Sequence, residues 1–200
     1  MHQLVFATNN PHKLRELEEI LKGEFTLLSL NDISCTDDIP ETGDTLEANA
    51  SQKSFYIWER FGIDCFSDDS GLEVEILNNE PGVHSARYAG ESRNAEENVS
   101  KLLFELEGKK NRKARFRCVI SLIIQGKEFL FEGRVDGEIL TERKGEGGFG
   151  YDPVFSPVGF DQSFAQMDAD LKNGMSHRGR AVQKLVAFLT QSHNSLHDRS

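Results

Sequence analysis

The sequence predicts a mixed α/β fold, and three observations carry that reading. The chain opens on an apolar run, Leu4-Val5-Phe6-Ala7, which passes through a polar turn into a helical pattern at Leu14, Leu17, Ile20 and Leu21. Short strand-like segments then alternate with helix-length periodic ones through the middle of the chain. Last, Ala114 to Gln125 and Glu128 to Leu140, divided at Gly126-Lys127, form the clearest antiparallel pair in the sequence, long enough to build a second lobe.

Taken in order, Gly23 is expected to end the first helix and a second strand to lie near Phe25 to Leu30. A polar loop with Pro40 and Gly43 follows, and Asp44 or Thr45 caps a long helix running to about Phe61, stopped by Gly62. Cys65 to Ser67 reads as a short strand ending at Asp68-Asp69-Ser70-Gly71, and Leu72 to Leu77 as extended until Pro81-Gly82 breaks it. Pro81 to Tyr88 is too polar for core and too irregular for an element, so it reads as a loop. Asn94 caps a helix carrying Val99, Leu102, Leu103 and Leu106. After the hairpin come a glycine-rich loop, Gly145 to Gly150, and a last helix starting near Ser176. No repeat, low-complexity block or linker is visible, so residues 1–200 are expected to form a single domain.

Composition narrows the functions. Hydrophobic residues at 38% and charged residues at 28% suit a soluble globular protein. No stretch approaches the roughly 20 apolar residues of a membrane helix. Cys35, Cys65 and Cys118 are odd in number and widely spaced, so reduced thiols and a cytoplasmic location are expected, with no zinc site. A formal charge of −10 repels nucleic-acid backbones at long range. It does not exclude a small phosphorylated substrate, because local cations act within a Debye length of about 8 to 10 Å.

Five segments could carry chemistry. Thr8-Asn9-Asn10-Pro11-His12-Lys13 lies between the first strand and helix, where backbone amides and the helix dipole favour an anion; it is equally an ordinary capped turn. Glu41 and the Asp68-Asp69 pair supply hard oxygen ligands suited to Mg2+, although Asp-Asp-Ser-Gly alone also reads as a solvated turn. Neighbouring strand residues point to opposite faces, so the two aspartates should have different tasks. Arg87 could meet a phosphate or a nearby acid, while Arg112, Lys113, Arg115 and Arg117 resemble the solvated face of a strand. In Phe149-Gly150-Tyr151-Asp152 either ring could stack on a base and Asp152 could accept from a base N–H; the same residues could simply anchor a loop. Ser176-His177-Arg178 puts cationic groups in the first turn of a helix, against its dipole, and Lys172 on the approach is either a ligand contact or a surface lysine.

In their order, Ala7 to Lys13, Glu41-Thr42-Gly43, Asp68 to Leu72, Pro81-Gly82 with Ser85 to Tyr88, Gly148 to Pro153, and Ser176 to Arg178 resemble the inosine triphosphate pyrophosphatase family, also called Ham1-like, over residues 4 to about 188. The resemblance implies an elongated α/β fold, with a mixed sheet, two lobes and a nucleotide-binding cleft between them, in a homodimer. It implies hydrolysis of ITP, dITP or XTP to the monophosphate and pyrophosphate with Mg2+. Thr8, Asn9, Asn10, Pro11, His12 and Lys13 would cradle the triphosphate, with Lys53 adding a contact. Asp69 would be general base and metal ligand, Glu41 would share the metal, and Ser70 would bind substrate. Phe149, Gly150, Tyr151 and Asp152 would hold the purine, with Lys172, His177 and Arg178 completing recognition. Asn9 and His12 stand where the family often has glycine, and Gln166 where an acid is common. The rival readings are a Maf-like pyrophosphatase of other modified nucleotides and a binding module without catalysis.

Overall fold

The computed structural model describes residues 3–21 and 26–197, with side chains up to 191. The helix stop expected at Gly23 and the strand start expected at Phe25 lie outside those residues.

Strands β1 (Gln3–Phe6), β2 (Thr26–Leu28), β3 (Cys65–Val74), β4 (Glu80–Pro81), β5 (Lys113–Ile124), β6 (Lys127–Ile139) and β7 (Phe155–Pro157) are interspersed with helices α1 (Pro11–Ile20), α2 (Leu46–Phe61), α3 (Ala95–Glu105), α4 (Ala169–Met175) and α5 (His177–His197). The strands hydrogen-bond in the order β2-β1-β3-β5-β6-β7, with β4 added on β3. β1 runs parallel to both β2 and β3, and α1 supplies the crossover that a parallel β1-β2 pair requires. Contacts divide the chain into two compact units, one from the described parts of Met1–Asp69, Val119–Gly133 and Arg178–Ser200, the other from Ser70–Cys118 and Arg134–His177. β3, β5 and β6 each contribute residues to both.

In the first unit Val5, Ala7, Leu30, Cys35, Ile39, Ile57, Cys65 and Ile123 make a buried cluster. Helix α2 forms where its local signals direct. Thr45 accepts from the Ala48 amide at 3.1 Å, and Gly62 ends the helix at φ 64, a left-handed conformation that a Cβ disfavours. The β5-β6 turn falls at Gln125 (φ 49) and Gly126 (φ 76), the two left-handed residues of a tight hairpin. Cys35, Cys65 and Cys118 are buried free thiols, and burial pushes the Cys65 thiol up to about 12.

In the second unit Leu72, Val74, Val99, Leu102, Leu106, Val135, Ile139, Phe155 and Phe164 form the core. Asn94 caps α3 as expected, accepting from the Glu96 and Glu97 amides.

Four expectations are corrected. Asp68-Asp69-Ser70-Gly71 is not a strand end: β3 runs unbroken for 10 residues, nine of them buried, so tertiary burial overrides the turn preference of the segment. Gly82–Arg87 is a 3-10 helix rather than a loop, closed by the Ser85 hydroxyl donating to the Gly82 carbonyl at 2.6 Å. The strand arginines are not simply solvated. Arg115 and Arg117 bond Glu73 at 2.5 and 3.2 Å, and Arg112 donates to the carbonyls of Leu106, Ile139 and Leu140. Finally α4, capped by Asp168, was not expected; the last helix begins at His177, next to the expected start near Ser176. No described helix is long and apolar enough to cross a membrane.

Candidate functional site

The first unit gathers charge around the middle of β3. Asp68 is fully buried and receives Lys13 Nζ at 2.9 Å and Arg178 Nε at 3.2 Å. Arg178, 2% exposed, also bonds Glu16 of α1. Lys53 bonds the Glu41 carboxylate and donates to the Asp68 carbonyl at 2.7 Å. On the opposite side of the strand alternation, Asp69 accepts from Asn49 Nδ2 at 3.1 Å. Lys13 stands in the first turn of α1 and Lys53 two turns into α2, and each delivers its ammonium group to Asp68 of β3.

The two aspartates differ electrostatically as their facing implies. Burial opposes ionisation of Asp68, but Lys13, Arg178 and Lys53 together outweigh it and hold its carboxyl well below the usual range. At Asp69 burial dominates and raises the pKa; Lys53 and Lys13 counter it, and the nearby Glu41 charge adds to it. Burial likewise pulls on the Lys13 ammonium, but Asp68 prevails and its pKa ends raised. Lys13 therefore stays a cation despite its burial.

The phosphate-loop candidates surround the start of α1. Asn10 is its cap: its side chain accepts from the His12 and Lys13 amides at 2.9 and 3.3 Å, and its own amide donates to Thr8 Oγ1 at 3.2 Å. The capped-turn reading of this segment therefore holds, and Asn9, Pro11 and His12 lie exposed on the rim of the turn. The Asn9 side chain donates to the Asp37 carbonyl at 3.3 Å.

The second unit holds the base-site candidates other than Arg178, which belongs to the first. Lys172 is 7% exposed and bonds Asp152, itself 4% exposed, at 2.9 Å, so it is not a surface lysine. Asp152 Oδ2 also accepts from the Phe149 amide at 2.8 Å, tightening the turn through Gly150. Lys172 lies 5.2 Å from the Phe149 ring centre. Tyr151 is not a free ring face: it is core, and its hydroxyl donates to the Ser85 carbonyl at 2.8 Å. Phe149 is half-buried. His177 is buried against Phe116, rings 4.7 Å apart and 11° from parallel. Ser70 lies half-buried beside Asp69 on β3. Gln166 closes a capping box by accepting from the Ser163 amide at 3.0 Å.

Sequence reasoning missed Glu16 and Asn49 and assigned no partner to Asp68. Glu16 looked like one more charge on a polar helix face. Asn49, one helical turn before Lys53, had the spacing to share its face, but nothing local marked it as buried. For a metal, the donor set is Glu41 and Asp69. Among the described residues no group of three or more His, Cys, Asp or Glu could hold an ion. A pair of carboxylates in which the Glu41 charge is felt at Asp69 would suit Mg2+, which takes one or two from the protein and completes its octahedron with water and phosphate.

The Ham1 family profile matches residues 4–188, and the chain belongs to that family. The dITP/XTP pyrophosphatase of Flavobacterium johnsoniae is 52% identical over 188 residues, covering 94% of this chain and 98% of the relative. That of Porphyromonas gingivalis is 53% identical over 190 residues, again covering 94% and 98%. Among solved structures, the Ham1 protein of Staphylococcus aureus matches with a TM-score of 0.87 at 39% identity, over 95% of this chain and 99% of the other. That of Coxiella burnetii matches at 0.88 and 37%, over 96% and 100%.

Proposed function

We propose that this protein hydrolyses non-standard purine nucleoside triphosphates, dITP, ITP and XTP, to the monophosphate and pyrophosphate with Mg2+. The observation that carries the reading is the split between adjacent carboxylates on β3. Asp68 is consumed in holding Lys13 and Arg178, while Asp69 keeps a raised pKa beside two lysines and Glu41. The kinship with dITP/XTP pyrophosphatases supports the substrate class.

In this scheme Asp69 accepts the proton of a water whose oxygen bonds to the α-phosphorus. The bond from that phosphorus to the α-β bridging oxygen breaks, and pyrophosphate leaves with the electron pair. Lys13 and Lys53 bind phosphate oxygens and offset their growing charge, aided by the Thr8 to Lys13 turn. Glu41 and Asp69 would hold Mg2+, which supplies charge neutralisation on the phosphates. Ser70 binds substrate beside Asp69. Phe149 stacks on the purine, and Asp152, Lys172, His177 and Arg178 read its edge, with the 6-keto oxygen facing donors. An adenine amino group there would leave a buried donor unsatisfied, at a cost of about 1 to 3 kcal/mol. The protein acts as a cytoplasmic homodimer in the same reading, which sedimentation would check.

The test is pyrophosphate release from dITP, ITP, XTP, dGTP and ATP, with and without Mg2+, separating pyrophosphate from orthophosphate. Metal-dependent pyrophosphate from the first three, strongly favoured over ATP, is expected. Equal turnover of all five, or none, would remove the assignment.

A further inference from the structure

The segment Glu41-Thr42-Gly43 is attached to α2 at three successive points. Lys53 bonds the Glu41 carboxylate. Gln52 and Thr42 bond reciprocally, Thr42 amide to Gln52 Oε1 at 2.9 Å and Gln52 Nε2 to Thr42 Oγ1 at 3.0 Å. Asn49 Oδ1 accepts from the Gly43 amide at 2.7 Å. Gln52 acts on the loop, and Lys53 continues to the Asp68 carbonyl. Asn49 continues to the Asp69 carboxylate itself, at 3.1 Å.

The chemistry of both partners fixes the orientation of this amide. A backbone N–H can only donate and an ionised carboxylate can only accept, so Oδ1 faces Gly43 and Nδ2 faces Asp69. Asn49 is 1% exposed, which removes water as a substitute for either bond. The approach also depends on glycine: a Cβ at Gly43 would lie 2.7 Å from Ala48 Cβ and 3.0 Å from Asn49 Oδ1. An asparagine in a helix interior contributes little to helix propensity. Its placement here answers to the two groups it joins.

We propose that Asn49 is a positioning residue for the reaction at Asp69, one amide fixing the Asp69 carboxylate and the backbone beside Glu41 in a single geometry. Glu41 and Asp69 come from a loop and a strand 28 positions apart, and Asn49 makes their separation a property of one rigid side chain on α2. The inference rests on the proposed hydrolysis for its kinetic consequence but not for its structural one.

Asn49→Ala and Asn49→Asp in the full-length protein test it. In Asn49→Ala, kcat for dITP is expected to fall by about 10- to 100-fold with KM little changed, because the phosphate contacts are untouched. Mn2+ binding without nucleotide, read by electron paramagnetic resonance, should weaken, and the Gly43 amide should lose its protection from exchange. In Asn49→Asp the carboxylate can still accept from Gly43, so that protection is kept, yet kcat falls because two carboxylates face each other. A folded Asn49→Ala with wild-type kcat and Mn2+ affinity overturns the proposal, as does wild-type kcat in Asn49→Asp or a change confined to KM. If Asn49→Ala does not fold, Asn49→Asp decides. If the wild-type protein releases no pyrophosphate from dITP or XTP, the functional reading fails by itself, and Gly43 exchange with Mn2+ binding still decides the role of Asn49.

Discussion

Asp68→Asn and Asp69→Asn are isosteric changes one residue apart on β3, and the structure requires them to act in opposite directions. Asp68 is fully buried between Lys13 and Arg178. Breaking a buried ion pair costs about 3 to 5 kcal/mol, since a cation is left without its counter-charge. Asparagine retains one acceptor oxygen and Arg178 keeps Glu16, so the lower figure, about 3 kcal/mol, applies. For a chain of this size that lowers Tm by about 6 to 12 °C. At Asp69 the ionised form is opposed by burial and by Glu41, and asparagine can still accept from Asn49 Nδ2. Asp69→Asn is therefore expected to leave stability unchanged or raise it by about 1 kcal/mol while abolishing turnover. The pH dependence separates them again. The folded-state pKa of Asp68 is depressed, so its stabilisation is complete above the ordinary carboxylate range and lost as pH falls through the depressed value. That of Asp69 is raised, so its ionisation subtracts stability once pH exceeds the unfolded value. Calorimetric melts of both variants and wild type at neutral and acid pH, beside pyrophosphate release, read all of this. Equal Tm losses for the two variants, or wild-type activity in Asp69→Asn, would refute the division of roles.

Three further outcomes follow from the same geometry. In the metal-free protein the Asp69 carboxyl should titrate above the ordinary aspartate value of 3.8, chiefly because it is buried, and Mg2+ should lower that midpoint, read from carboxyl NMR titrations with and without Mg2+. Lys172→Met leaves Asp152 buried without its cation and should cost about 3 kcal/mol in urea unfolding, with Asp152→Asn added to it recovering part of the loss. Gly148→Ala places a Cβ 2.1 Å from Asp152 Oδ2 at a residue with φ +71, so it should raise KM for dITP severalfold and destabilise the protein by about 2 kcal/mol or more.

Elements whose signals lie within a few residues were legible. Thr45 and Gly62 bound α2, Asn94 starts α3, and the β5-β6 hairpin forms, its turn at Gln125-Gly126 falling one residue before the expected Gly126-Lys127, because caps and left-handed turns are local chemistry. Where local preference and burial disagree, the local reading failed. Asp-Asp-Ser-Gly favours a turn, yet β3 passes straight through it because neighbours bury it on both faces.

For the site, the sequence by itself determined which residue types stand in which order, and through that order the family and its candidate groups. Only the tertiary structure decided what each group does to its neighbours. Asp68 and Asp69 are the same residue in sequence terms, and burial opposes the ionisation of both; Lys13, Arg178 and Lys53, distant in the chain, outweigh it at Asp68, whereas at Asp69 burial prevails over Lys53 and Lys13. Tyr151 and Phe149 were interchangeable aromatics until packing made one core and left the other half-buried. Asn49 carried no mark at all, because a hydrogen bond to residues 6 and 20 positions away has no local trace. Burial, ionisation and pairing depend on distances through space, and those exist only once the chain has folded.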